Sequence, residues 1–257
     1  MGLLILGGVV FVVGIIVSVA GLKNWRRRSR ILGTPTSPIA QAPGNALVEV
    51  KGRAMPSEQG LVVGPFSGRQ GVWVRVLVEE LRSSGRNRYW VTMINECDGR
   101  VFMIDDGSGQ MARVDPAGAN VMPQRLQIAT SGTFNDAAPH LQAFLASRGQ
   151  TTTGLLGFNR TIRYSEELLA PMEPVYALGP SRRDAGPPIN DGYRMVPSSQ
   201  LVMFAAGGEE GELIVTNKTE DQLVAGLKWG LISGIGIMTV GFGIGVVGII
   251  TEIAQHL

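Results

Sequence analysis

Residues 230–250 read GLISGIGIMTVGFGIGVVGII: apolar from end to end, free of charge, and holding the seven glycines Gly230, Gly234, Gly236, Gly241, Gly243, Gly245 and Gly248. A helix of this length rises about 30 Å, the thickness of a bilayer's hydrocarbon core. The stretch is therefore expected to be a transmembrane helix. Gly230/Gly234 and Gly241/Gly245 are small-xxx-small pairs, which let two helix backbones approach closely in lipid. Gly234, Gly241, Gly245 and Gly248 follow one another at steps of 7, 4 and 3 and so line one stripe of a helix. The apolar run 2–22 repeats those steps with Gly7, Gly14, Ser18 and Gly21. Two membrane helices with matching seams are expected to pack, within one chain or between copies.

The charges around the two runs set an orientation. Lys23, Arg26, Arg27, Arg28 and Arg30 follow the first, Lys228 precedes the second, and the tail 251–257 has neither Lys nor Arg. The positive-inside rule puts the central region in the cytoplasm and both termini outside, as in a two-pass protein of a bacterial inner membrane. Trp25 and Trp229 stand where interfacial aromatics belong. The first run has no basic segment before it, so it reads as a retained anchor, not a cleaved signal peptide.

The chain has 257 residues, 44% hydrophobic and 17% charged, with net charge +2. That balance, with no basic stripe interleaved with aromatics, excludes nucleic acid as the expected partner. Cys97 is the sole cysteine, so neither an intrachain disulfide nor a cysteine-based zinc site can form.

Outward from the two helices the chain divides as follows. Residues 1–22 form the first helix, 23–45 a basic and proline-rich linker, 46–218 a β-rich domain, 219–253 a helix running into the second span, and 254–257 a short tail. Between 47 and 55 and between 72 and 81, apolar and polar residues alternate; Val72, Val74, Val76 and Val78 share one face against Trp73, Arg75, Leu77 and Glu79. Further strands are expected at 89–96, 101–104, 111–114, 159–169, 173–179, 193–196 and 201–204. Asp98-Gly99 reads as a hairpin turn, and 181–192 as a charged loop. One amphipathic helix is expected over 136–148, with Leu141, Phe144 and Leu145 on one face and Gly149 as its stop. The fold class implied is an α+β membrane protein: an antiparallel barrel or sandwich between two transmembrane helices.

Little in the β-rich part carries catalytic spacing. Asp105-Asp106-Gly107-Ser108-Gly109 lacks the later acidic ligands of a calcium loop and reads as a turn. His140 stands without an acidic or cysteine partner. Glu79-Glu80 and Glu166-Glu167 are neighbours on strands, so each pair splits across two faces. Catalytic, cofactor-binding and metal residues are all expected to be absent. Trp73, Tyr89, Trp90 and Tyr176 read as packing groups, and Gly52 and Gly68 as turn or bulge positions.

Five segments in order, VKGRA (50–54), GPFSGRQGVWVRVLVEE (64–80), FMIDDGSGQMARVDPAGA (102–119), LQAFLASRGQTTTGLLGF (141–158) and IRYSEELLAPMEPVYALG (162–179), resemble the GIDE (MULAN-like) family. The resemblance implies a beside-a-membrane domain held between two membrane helices. In mitochondrial members a RING ubiquitin ligase follows the second helix. Here one Cys and two His cannot fill the eight ligand positions of a two-zinc RING, so the likeness is to RING-less bacterial relatives and no ligase activity is implied. The function expected is a membrane-anchored, non-catalytic scaffold or partner-recognition protein, with a homo-oligomer and an unidentified protein as partners. A membrane-bound enzyme or adaptor with a site near Asp105, Asp106 and Arg113 is the alternative, and an oligomeric pore the third reading.

Overall fold

The computed structural model describes residues 2–132, 135–153, 159–190, 195–208, 211–219, 222, 237, 239–240, 242–244 and 246–247. The chain forms two units, Met1–Pro35 with Thr219–Leu257, and Thr36–Lys218.

In the first unit α1 spans Gly2–Gly33. It does not stop at Leu22. Arg and Lys are nearly as good helix formers as Leu, so the basic run stays helical until Gly33 and Pro35 end it. Gly14 and Gly21 are buried and Ser18 is half-buried, whereas Ile15, Ile16 and Val19 are exposed. Gly7, Trp25, Arg26, Arg27, Arg28 and Arg30 belong to the same helix, as does the backbone of Lys23. Gly230, Gly234, Gly241, Gly245, Gly248, Lys228 and Trp229 lie outside the described residues.

The structure does not support the expected two-pass membrane architecture. Among the described residues no helix is long and apolar enough to cross a membrane. The apolar part of α1 shares its helix with a cluster of arginines, and the second stretch is described only at scattered helical positions. The expected α+β membrane class, the inner-membrane location and the cytoplasmic orientation fall together.

The second unit is β-rich. Its elements are β1 (Leu47–Pro56), β2 (Val62–Val63), β3 (Gln70–Gly71), β4 (Trp73–Ser84), β5 (Asn87–Gly99), β6 (Phe102–Asp105), β7 (Met111–Val114), β8 (Asn120–Val121), β9 (Arg125–Ser131), α2 (Pro139–Ala146), β10 (Ile162–Leu169), β11 (Pro174–Asn190), β12 (Met195–Met203) and β13 (Ile214–Thr216). β1 pairs antiparallel with β6 and β6 with β7; β7 runs parallel to β12; β12 pairs antiparallel with β11, and β11 returns to β1. The ring is closed, a five-stranded Greek-key barrel of the OB type. Side-chain alternation fills the ring: Val48, Val50, Ala54, Phe102, Ile104, Ala112, Val114, Val175, Ala177, Leu201 and Met203 all turn inward and form one core.

Ile39 and Ala42 join that core, at 0% and 1% exposure. The proline-rich segment is thus part of the barrel's packing, not a spacer. Glu49 ties it down further, accepting hydrogen bonds from the Thr36 hydroxyl and from Tyr176 Oη (2.9 Å).

A four-stranded sheet, in the order β5-β4-β10-β9, interrupts the barrel strands in sequence. One face packs Val76, Val78, Ile94, Ile162 and Tyr164 against Leu141, Phe144 and Leu145 of α2 and against Phe66. Two turns differ from expectation. The β4–β5 hairpin turns at Gly85-Arg86, with Gly85 at φ +61°. Asp98-Gly99 instead stays in β5, and Gly99 is needed because a β-carbon there would overlap the Trp73 ring. Residues 181–190, expected as loop, extend β11 and pair with β12.

Candidate interaction face

The acidic turn does structural work. The Asp106 carboxylate accepts the Ile39 amide at 2.7 Å and the Ser108 amide at 2.9 Å, while Asp105 Oδ1 accepts the Gly107 amide at 2.9 Å. Ser108 Oγ takes the Ala40 amide at 3.1 Å. Burial pushes the Asp106 carboxyl up, but the Ser108 hydroxyl and the backbone amides of Ile39 and Ser108 outweigh it and leave the group below the usual carboxylate range. From the other side Arg183 donates to the carbonyls of Ile39 (2.8 Å), Ala40 (3.1 Å) and Ala42 (2.8 Å). The turn at 38–42 is clamped through both its amides and its carbonyls.

What remains outward on the neighbouring strands is a methionine face. Phe102 and Ile104 of β6, Ala112 and Val114 of β7 and Ala54 of β1 point into the barrel, each at 0% exposure. Their neighbours must point out. Register sets them in two rows, Arg53–Asp105–Met111 and Met55–Met103–Arg113. Met111 is 41% exposed, Arg53 and Arg113 are exposed, and Met55, Met103 and Asp105 are half-buried. At the rim Met172 is 51% exposed. Its backbone sits at φ +64°, a costly conformation for a residue with a β-carbon. The Met172 amide donates to the Ala54 carbonyl at 2.7 Å and its carbonyl accepts from Arg53 Nη1 at 3.3 Å, which holds it there. Among the described residues neither Arg53 nor Arg113 is in an ion pair. Asp105 and Arg113 share this face on opposite rows, and Asp106 is turned away toward Ile39, so the three groups do not converge.

Methionine side chains are flexible and polarizable, and suit adaptable recognition of apolar surfaces. Nucleic-acid faces of such barrels rely on aromatic stacking and unbroken positive charge. This face offers three methionines and a carboxylate among its six outward residues instead. Sequence reasoning missed it because the decisive fact is the lateral register of three strands; the alternation in Phe102–Asp105 and Met111–Val114 was the available signal.

The other face of the four-stranded sheet is ionic. Glu167 sits between Arg75 (3.1 Å) and Arg125 (2.9 Å), and Arg163 grips Glu79 through Nε (2.6 Å) and Nη2 (2.8 Å). The guanidinium of Arg163, hydrogen-bonded to Glu79, holds that carboxyl below its ordinary range and is itself held above its own. Arg163 also lies 4.2 Å over the Trp90 ring, and Arg75 5.2 Å over Trp73. Glu166 faces the opposite way and accepts the amides of Phe66 (2.6 Å) and Ser67 (3.2 Å). Glu80, opposite the inward-facing Ile162, lies on the other face from Glu79, so both adjacent carboxylate pairs are split. Among the described residues no group of His, Cys, Asp and Glu could hold a metal ion. Cys97 and His140 are exposed.

No family model, characterised protein or solved structure matches the chain.

Proposed function

We propose that the second unit is a non-catalytic recognition module whose methionine face takes an apolar protein segment flanked by acidic residues. The observation that carries this reading is the outward placement of Met55, Met103 and Met111 on three adjacent strands, between the guanidinium groups of Arg53 and Arg113. Methionines supply an adaptable apolar floor, and the two arginines select carboxylates at its edges. The use of Asp106 as a backbone clamp argues against an enzyme built on the acidic turn. The segment order that resembles the GIDE family adds weight to a recognition role.

Self-association is the second half of the proposal. Gly14 and Gly21 are already covered within the chain, and it is the exposed apolar residues Ile15, Ile16 and Val19 of α1 that support contact with a second copy. The test of the first half is calorimetric titration of the full chain with short synthetic amphipathic peptides, acidic against basic. Acidic peptides should bind, and Met103→Glu or Met111→Glu should weaken them tenfold or more, on the order of the cost of burying an unpaired carboxylate. Equal binding of basic peptides, or no effect of either substitution, would refute it.

A further inference from the structure

A different surface of the same unit is shaped for a second copy of the chain. β5 is an outer strand of the four-stranded sheet, 13 residues long and mostly exposed. Among the described residues its free edge makes no backbone hydrogen bond. A long unpaired edge is a template for another strand. Arg86 and Arg88 lie at or beside its start, while Glu96 and Asp98 near its end are each paired within the chain, with Arg148 and Arg100 at 2.8 Å; a parallel copy would set Arg86 and Arg88 against their like, and an antiparallel copy keeps them apart.

The β-bulge in β5 decides the register. Trp90 and Thr92 face outward opposite Leu81 and Glu79, and Asn95 and Cys97 outward opposite Leu77 and Arg75. Between them the pairing slips by one residue, and Met93 and Ile94 both pack inward. A strictly alternating strand can pair with its own copy about any residue. This strand changes phase at its centre, so full-length self-pairing keeps outward against outward in one way only. The two-fold axis must pass between Met93 and Ile94.

We propose that β5 pairs with β5 of a second copy about that axis, joining two four-stranded sheets into one. Trp90 then stands opposite Cys97 of the second copy and Thr92 opposite its Asn95, all on the outer face. Tyr89 meets Asp98 and Val91 meets Glu96 on the inner face. Each pair occurs twice. This goes beyond the methionine face, since β5 lies in the other sheet and neither surface depends on the other.

The test is oxidative cross-linking of the full-length chain carrying Trp90→Cys. Opposed residues in an antiparallel pair are about 5 Å apart at Cα, within disulfide reach. Like positions of the two copies are seven residues out of step, about 23 Å, and so are Trp90 and Cys97 within one chain. A covalent dimer should form with Trp90→Cys, and not with the unsubstituted chain or with Trp90→Cys/Cys97→Ser. Because Trp90 packs on Arg163, a second variant, Thr92→Cys/Asn95→Cys on the Cys97→Ser background, leaves that contact whole and should cross-link as well. Monomer alone from both variants, or equal dimer from the single-thiol chains, would overturn the proposal.

Discussion

The Asp106 carboxylate and the Ile39 amide, 67 residues apart in the chain, meet at 2.7 Å. Through that contact a charged turn on the surface holds an apolar plug in the barrel core, where Ile39 is fully buried. Asp106→Ala would leave the Ile39 amide unsatisfied. Hydrogen bonds to a charged group contribute about 1.5–3 kcal/mol, so a loss of roughly 2 kcal/mol in urea unfolding is expected. Arg183→Met, which releases the carbonyls of the same turn, should cost a similar amount.

Glu79 makes stability depend on acid. Its carboxyl is held low by Arg163, so between its folded and ordinary pKa values the unfolded chain binds more protons than the folded one. The contribution is present in full above the ordinary carboxylate range, about 4.3 for Glu, and is lost as pH falls through the depressed folded value. Thermal melts from neutral pH downward should show a shallower acid loss in Glu79→Gln than in the unsubstituted chain. Parallel profiles would show that the pair contributes nothing measurable.

Tyr164 Oη and Ser131 Oγ are buried, among the described residues neither has a hydrogen-bond partner of acceptable geometry, and burial pushes the phenol up. The ring itself is well placed, edge-on to Phe66 at 5.7 Å between centroids. Tyr164→Phe keeps the ring and removes the orphaned hydroxyl. It is expected to stabilise the unit by about 1 kcal/mol in equilibrium unfolding, the low end of the cost of a buried unsatisfied polar group.

Gly99 is closed to any side chain by Trp73. Gly99→Ala should destabilise by about 1–3 kcal/mol, as overpacking does. Trp73→Leu in the same chain should restore part of the loss, which a double-mutant cycle would read directly.

Much of the second unit was legible because alternation is local. Val72–Glu79 announced both its faces, and Leu141, Phe144 and Leu145 marked the buried side of α2. What failed was whatever depended on distant partners. Asp98-Gly99 has the composition of a turn, yet its glycine answers to Trp73 on the adjacent strand. Residues 181–190 look like loop because of their prolines and charges, and become strand because β12 runs beside them. Ile39 sits among prolines, and only the closed barrel shows that it plugs a core. Barrel closure itself rests on β1 meeting β11, with Lys51 opposite Tyr176, a pairing no local pattern encodes. The methionine face was hidden for the same reason: Met55, Met103 and Met111 become neighbours only once β1, β6 and β7 are in register. The apolar runs misled in another way, since periodicity and length describe a helix but not its surroundings.

The recognition role of the methionine face is tested most directly by NMR of the full chain labelled at the methionine methyl groups, titrated with an acidic amphipathic peptide. Saturable shifts are expected at Met103 and Met111, smaller ones at Met55 and Met172, and none at Met203 in the barrel core. Methyl signals that stay fixed, or that move at Met203 as much as at Met111, would contradict it.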